Sequence, residues 1–171
     1  FDIRKGDVLL SFLPLHHVFE CTVGFLFVLS VGGTIAFCEG IRHIAENLKE
    51  FECTAMIAVP VLFENMYKKV WQGIDKKGKT KTVKFALKLS NFLRLFNIDL
   101  RKKLFKDIHA NFGGKLKLLI AGGAAFDKQA EKGFTDLGVD TYQGYGLSET
   151  SPVVAAENPK YHRLGSIGKT F

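Results

Sequence analysis

Short apolar runs alternate with amphipathic stretches along the first part of the chain. The apolar runs have the length of strands, and the stretches between them repeat apolar residues at helical spacing. In chain order the pattern predicts a strand at 8–13, a helix at 18–31, a strand at 34–37, a helix at 41–51, a strand at 55–59 and a helix from Pro60 onward. Apolar strands joined by helices are typical of a mostly parallel sheet flanked by helices, with right-handed crossovers. This part of the chain therefore predicts an α/β fold.

The alternation is interrupted in the middle of the chain. Residues 71–82 are rich in Gly and Lys and lose hydrophobic periodicity, which predicts an exposed loop. Beyond it the pattern predicts helices at 83–96 and 100–112, a strand at 116–120, a helix from the N-cap Asp127 to Leu137 and a strand at 139–142. We predict one α/β domain over residues 1–171 that contains a basic helical insertion at 68–112.

Positive charge is concentrated in that insertion. The 171 residues carry a formal net charge of +7, and residues 68–106 hold thirteen Lys or Arg against Asp75 and Asp99, which is a local net charge of +11. No recognisable nucleic-acid-binding module surrounds this segment, so we predict no nucleic-acid partner.

The insertion also carries apolar residues at helical spacing. These are Phe85, Leu89, Phe92 and Phe96, with Lys84, Lys88, Asn91 and Arg94 over much of the other face. Such a helix contacts an anionic membrane through residues 68–106, or it packs its apolar side on the domain and leaves its lysines in water. The pattern leaves both alternatives open.

One uncharged run, residues 21–38, approaches the length of a membrane-spanning helix. Gly32-Gly33 divides it into an apolar helix and a short β-rich segment, so we expect a buried helix and a core strand instead. Cys21, Cys38 and Cys53 form no Cys-x-x-Cys pair, which argues against a disulfide framework or a zinc site and favours a reducing compartment. We expect a cytoplasmic location, and peripheral membrane contact stays open. Because the chain lacks a starting methionine, we also expect it to be part of a longer protein.

Candidate site residues follow directly after predicted strands, because ligands of an open parallel sheet bind beyond the carboxyl ends of its strands. After the strand at 116–120, Ala121-Gly122-Gly123-Ala124-Ala125 has almost no side-chain bulk. A flat ligand can lie against such a backbone, and a tight strand-to-helix turn is the alternative.

Residues suited to a nucleotide follow the strand at 139–142, in Gln143-Gly144-Tyr145-Gly146-Leu147-Ser148-Glu149-Thr150. Tyr145 suits the face of a purine, Ser148 suits a phosphate oxygen, and Glu149 suits Mg²⁺, which prefers carboxylate and phosphate oxygens. The alternative is an exposed loop in which Ser148 or Thr150 caps a short helix.

Two adjacent histidines, His16 and His17, follow the first strand, and His16 stands four residues before Glu20. The pair indicates a metal site, a substrate-lining histidine or ordinary packing at a helix start. Adjacent histidines do not easily face one metal ion, so the metal site is the weakest of the three.

Four motifs together resemble those of the adenylate-forming superfamily, which includes acyl-CoA synthetases, luciferases and peptide-synthetase adenylation domains. Residues 145–149 resemble its Tyr-Gly-x-Thr-Glu signature, and residues 122–125 resemble its Gly-Gly-Ala-Pro adenine loop. Residues 13–20 look like the Leu-Pro-Leu-x-His-x-x-Glu segment of long-chain acyl-CoA synthetases, and residues 165–169 are similar to their Gly-Ser-Val-Gly-Lys turn. Four motifs in the family's order are far more specific than one, and they extend over essentially the whole chain.

The resemblance implies a flavodoxin-like subdomain with defined site residues. Tyr145 would pack on adenine, Ser148 would bind the α-phosphate, and Glu149 would coordinate Mg²⁺, while His17 would line the entrance for the acyl substrate. The implied nucleotide-binding residues are Gly122, Gly123, Ala124, Ala125, Gln143, Gly144, Tyr145 and Gly146. Ser148 replaces the family's usual threonine and keeps its hydroxyl, and Ala125 replaces a proline and leaves the loop less rigid.

The implied reaction joins a fatty acid to coenzyme A. The carboxylate attacks the α-phosphorus of ATP and releases pyrophosphate, and the CoA thiol then displaces AMP from the acyl-adenylate. In the family, a lysine-bearing phosphate loop lies upstream of such a segment, and a ribose-binding aspartate and a catalytic lysine lie downstream. The resemblance therefore implies the central part of an AMP-binding N-terminal domain, inactive by itself. From the residues alone, a non-catalytic nucleotide-binding module and a membrane-surface or partner-binding domain stay open.

Overall fold

Seven strands form one sheet in the computed structural model, which describes residues 3–170. They are β1 (Val8–Ser11), β2 (Thr34–Phe37), β3 (Ala55–Ala58), β4 (Leu118–Ala121), β5 (Asp140–Tyr145), β6 (Ala155–Ala156) and β7 (Lys169–Thr170). Their order across the sheet is β2-β1-β3-β4-β5-β6-β7. The first five strands in this order are parallel, whereas β6 and β7 are antiparallel to their neighbours. The predicted α/β fold with a mostly parallel sheet is confirmed.

Helices join the strands on both faces of the sheet. They are α1 (Phe27–Ser30), α2 (Ile44–Glu50), α3 (Pro60–Lys76), α4 (Thr80–Arg94), α5 (Arg101–Leu104), α6 (Lys106–Ala110) and α7 (Lys128–Leu137). A π-helical segment, Glu20–Leu26, continues directly into α1, and one 3₁₀ turn, Ser148–Thr150, follows β5. Asp127 caps α7 as predicted, because its side chain accepts a hydrogen bond from the Ala130 N–H at 2.9 Å.

The central strands are buried on both faces, so neighbouring residues pack into two separate cores. Met56 and Leu119 face the core that α2, α3, α6 and α7 cover, and they pack with Phe63 and Phe134. Ile57 and Ile120 face the second core, which the segment 20–30 covers. This explains why the strands are apolar without alternation.

Several predicted element boundaries were wrong, and three of them show the reason. The loop predicted at 71–82 is mostly helix, since α3 continues to Lys76 and buries Ile74. The helix predicted at 100–112 is two short helices that meet at Phe105, a buried residue outside helical geometry. The strand predicted to end at 142 extends to Tyr145, because β6 pairs with Gly144 and Tyr145. Each error reflects tertiary contacts that a local pattern does not record.

Helix α4 leaves its aromatic side in solvent. Val83, Ala86 and Leu87 pack against the core, whereas Phe85 (69% exposed), Phe92 (56%) and Leu89 are exposed. Together with Phe96 (62%), which follows the end of the helix, they form what we call the phenylalanine stripe. The alternative in which α4 packs this apolar side on the domain is therefore wrong for residues 3–170. No helix in this range is long and apolar enough to cross a membrane, and the three cysteines are free.

Candidate functional site

The three segments singled out from the sequence line one cavity. It has a volume of about 420 Å³ and lies beyond the carboxyl ends of β1, β3, β4 and β5. We call it the motif cavity. Its lining residues are Leu13, Pro14, His17, Val18, Phe19, Val59, Gly122, Gly123, Gly144, Tyr145, Gly146, Leu147, Ser148, Glu149, Pro152 and Val153. Segments more than one hundred residues apart in sequence thus form one site, as the rule for parallel sheets predicts.

The glycines after β4 let another segment approach closely. A Cβ on Gly122 would lie 2.9 Å from the Phe19 ring, closer than such atoms normally come. Gly123 has a φ of +85°, a left-handed conformation that favours glycine. Ala124 and Ala125 are exposed and do not line the cavity. The glycines therefore form part of the cavity wall, and the two alanines lie at its margin in the following turn.

Gln143 lies beneath the cavity and does not line it. Its side chain is buried, with Oε1 accepting from the Phe126 N–H at 3.0 Å and Nε2 donating to Glu131 Oε2 at 3.2 Å. The first bond joins the end of the 122–126 loop to β5. Gln143 can therefore fix the position of this wall without touching a ligand.

Two buried carboxylates extend this network to the turn that precedes β7. Glu131 Oε2 accepts from the Gly165 N–H at 3.3 Å, and Glu157 accepts from the Gln143 and Arg163 N–H groups, both at 3.0 Å. Burial raises the pKa of the Glu131 carboxyl above its ordinary value, and the nearby Glu157 carboxylate acts in the same direction. Neither residue was predicted from the sequence. For Glu131 the available signal was its helical spacing from Phe134, on the apolar face of α7.

A tight turn presents Ser148 and Glu149 to the cavity. The Thr150 hydroxyl accepts from the Leu147 N–H at 3.0 Å and lies 3.0 Å from the Pro152 carbonyl oxygen, so threonine stabilises the turn. Ser148 and Glu149 are exposed, and neither side chain bonds to another residue of the described chain. The capping alternative is thus confirmed for Thr150, while both neighbouring side chains stay available to a ligand.

Close backbone contact explains the glycine after Tyr145. A Cβ on Gly146 would overlap the Pro152 carbonyl oxygen, whereas a Cβ on Gly144 would have 3.8 Å to its nearest neighbour, the Ala155 carbonyl oxygen. Tyr145 itself is 47% exposed and forms part of the cavity wall. Its aromatic face is therefore accessible to a planar group.

The two histidines lie in different environments. His17 lines the cavity, and its Nδ1 accepts a hydrogen bond from the Phe19 N–H at 3.2 Å. The proton of the neutral ring is then on Nε2, which is free to donate. His16 is exposed and outside the cavity, so the structure does not form the histidine metal pair.

Glu20 points into the protein and does not pair with His16. Its Oε1 accepts from the Ser11 hydroxyl at 2.5 Å, and its side chain is fully buried. Burial raises the pKa of the Glu20 carboxyl. This contact fixes the start of the π-helical segment against the end of β1, and with it the strand-to-helix connection that carries His17.

Comparison with known proteins identifies relatives over the whole chain. The model of a family described as AMP-binding enzyme matches residues 1–171. The long-chain-fatty-acid–CoA ligase FadD15 of Mycobacterium bovis is 28% identical over 98% of this chain and 30% of its own length. The long-chain-fatty-acid–CoA ligase 5 of Mus musculus is 32% identical over 98% of this chain and 26% of its own length.

Solved structures share the fold. The N-terminal domain of FACL13 from Mycobacterium tuberculosis superposes with a TM-score of 0.67 and 18% identity, over 99% of this chain and 35% of that chain. The O-succinylbenzoate coenzyme A synthetase of Bacillus subtilis is described in complex with ATP and magnesium ion. It superposes with a TM-score of 0.65 and 16% identity, over 99% of this chain and 28% of that chain.

The family is established by the first of these comparisons, because the family model matches every residue of the chain. The chain spans between 26% and 30% of the length of these two curated relatives. The motif resemblance noted from the sequence is confirmed at this level. The chain belongs to the AMP-binding enzyme family.

Proposed function

We propose that this chain forms the central part of a long-chain acyl-CoA synthetase that uses ATP. The observation that carries this proposal is the motif cavity, in which four lining glycines (Gly122, Gly123, Gly144 and Gly146) meet Tyr145, the Ser148-Glu149 pair and His17. The curated relatives that match the chain are long-chain-fatty-acid–CoA ligases, which supports the choice of substrate.

Within this proposal, Tyr145 packs against adenine, with Gly122, Gly123 and Gly144 forming flat backbone around the base and Ala124 and Ala125 at its margin. An accessible aromatic face and low side-chain bulk support this assignment. Gln143 positions the wall through its bond to the Phe126 N–H. Gly146 lets the following turn lie close enough for Ser148 to donate to the α-phosphate.

Magnesium fits beside Glu149. The carboxylate is exposed at the cavity and free of protein partners, and Mg²⁺ is commonly held by one or two carboxylates together with substrate phosphates. Bound Mg²⁺ offsets negative charge on the phosphate oxygens. One solved relative of similar fold is described with ATP and magnesium ion, which supports the same ligands here.

The reaction we propose is adenylation of a fatty-acid carboxylate followed by transfer of the acyl group to the CoA thiol. The protein contributes position and electrostatics: Ser148 binds a phosphate oxygen, and His17, with its free Nε2 proton, orients the carboxylate at the cavity mouth.

Pyrophosphate release by the full-length protein tests this function. With ATP, Mg²⁺ and a panel of carboxylates, we expect release to depend on long-chain fatty acids, and acyl-CoA to form when CoA is added. In the family, the phosphate loop, the ribose-binding aspartate and the catalytic lysine lie outside such a segment. The 171-residue piece alone should therefore lack turnover, because losing one such group typically costs about 10²- to 10³-fold in rate. Nucleotide binding by the full-length protein without pyrophosphate release for any carboxylate would favour a non-catalytic module.

The phenylalanine stripe supports a second element of the proposal, peripheral contact with an anionic membrane. Phe85, Phe92 and Phe96 are more than half exposed, and Lys84 and Lys88 on the same helix are also exposed. Exposed aromatic residues next to lysines suit the interface of an anionic bilayer, from which a fatty acid is drawn.

Liposome sedimentation tests the membrane contact. We expect vesicles containing anionic lipid to retain the protein at low salt, and Phe85→Ser with Phe92→Ser to reduce retention by about tenfold or more, since each buried phenylalanine contributes roughly 1.5–3 kcal/mol. The control pair is Phe37→Ser with Phe51→Ser, which removes exposed phenylalanines away from α4. Failure of anionic vesicles to retain the unmodified protein would contradict this contact.

A further inference from the structure

A second cavity lies among α2, α3, α4, α5 and α6 and shares no lining residue with the motif cavity. Its volume is about 890 Å³, within the range of roughly 300–1,000 Å³ typical of small-molecule sites. Its walls are largely apolar and include Leu48, Met66, Val83 and Phe105, which belong to the core or pack against it.

Six basic side chains line the same cavity, which we call the basic cavity. They are Arg42, Lys49, Lys68, Lys69, Lys77 and Lys79, and Asp107 is the single carboxylate among the lining residues. All six are exposed, and none forms an ion pair with a residue in the range 3–170. A cleft lined by charge of one sign with apolar walls concentrates the electric field and attracts ions of the opposite sign.

The charge and the apolar walls together define the ligand. An alkyl chain suits the walls, because burying apolar surface is favourable by roughly 25 cal/mol per Å². Six cations suit a head with several phosphate groups better than a single carboxylate. A free fatty acid offers one negative charge, and free CoA offers no alkyl chain. Neither ligand therefore uses both the apolar walls and the six basic side chains.

We propose that the basic cavity binds long-chain acyl-CoA, with the acyl chain between α2, α3 and α6 and the phosphates on the lysines. The identity of this ligand rests on the proposed function, because long-chain acyl-CoA is the product of the proposed reaction. The binding site itself is separate from the motif cavity, so product can occupy it while the motif cavity is free.

Direct titration of the full-length protein with a fluorescent long-chain acyl-CoA, without ATP, tests the proposal. We expect two binding sites. Lys68→Glu with Lys69→Glu should weaken one of them by about tenfold or more, because two attractive charges become repulsive. Both lysines are exposed on α3, and Glu and Lys have similar helix propensity, so the fold is retained.

The matched control is Lys84→Glu with Lys88→Glu, the same charge change on α4 outside the cavity, and it should change affinity less than twofold. Tyr145→Ala alters the motif cavity and should leave the second site intact. Palmitate, free CoA and acetyl-CoA should each bind the second site at least about tenfold more weakly.

Three outcomes would overturn this inference. The first is an unchanged second site in Lys68→Glu with Lys69→Glu, and the second is binding of palmitate as tight as that of acyl-CoA. The third is failure of monomeric acyl-CoA to bind while those lysines govern retention by anionic vesicles, in which case the basic cavity serves a membrane surface. Absence of pyrophosphate release would defeat the proposed function separately, since the titration requires no catalysis.

Discussion

Replacing Glu149 by Gln in the full-length protein is expected to lower adenylate formation by about 10²-fold or more while the fold stays intact. The substitution keeps the size of the side chain and removes its charge. Glu149 is exposed, lines the motif cavity and has no partner among the described residues, so no internal contact is lost. The effect should therefore come from weaker binding of Mg²⁺ and its phosphate ligands.

Pyrophosphate release at saturating fatty acid measures this effect. The expected signature includes a shift of the magnesium dependence to higher concentration in Glu149→Gln. Ser148→Ala serves as a comparison. Its rate of pyrophosphate release should fall less than that of Glu149→Gln, because the substitution removes a neutral hydrogen-bond donor and not a charge. A rate equal to that of the unmodified enzyme would remove Glu149 from the site.

Gly146→Ala should also lower adenylate formation by about 10²-fold, although it changes no functional group. The added methyl group would overlap the Pro152 carbonyl oxygen, so the end of β5 and the Ser148–Thr150 turn must move apart. A displacement of about 1 Å at a reacting group can cost about 10²-fold in rate.

Gly73→Ala is the control for this substitution. It adds the same methyl group on α3, outside the motif cavity, where no neighbouring atom would lie within 4 Å. Activity should stay within a few-fold of the unmodified enzyme, and thermal unfolding should show that both variants are folded. Equal losses in the two variants would show that the close contact at Gly146 does not position the turn.

One fold error and the placement of one predicted site residue have the same cause. The strand that ends at Tyr145 was predicted three residues too short, and Gln143 was assigned to the ligand-binding surface. Both depend on contacts with residues that are not neighbours in sequence. Pairing with β6 extends the strand, and hydrogen bonds with Phe126 and Glu131 hold the Gln143 side chain beneath the cavity. Whether Gln143 also affects nucleotide binding stays a prediction.

The sequence by itself determined the parallel sheet and the candidate site segments, because burial on both faces requires continuous apolar strands and because parallel strands end at one edge. Only the tertiary structure decided which side chains face the cavity, since that depends on contacts between distant segments, such as Phe19 against Gly122. It also decided the orientation of α4. The spacing of Phe85, Phe92 and Phe96 defines an apolar face, but the packing of Val83, Ala86 and Leu87 against the core turns that face toward solvent.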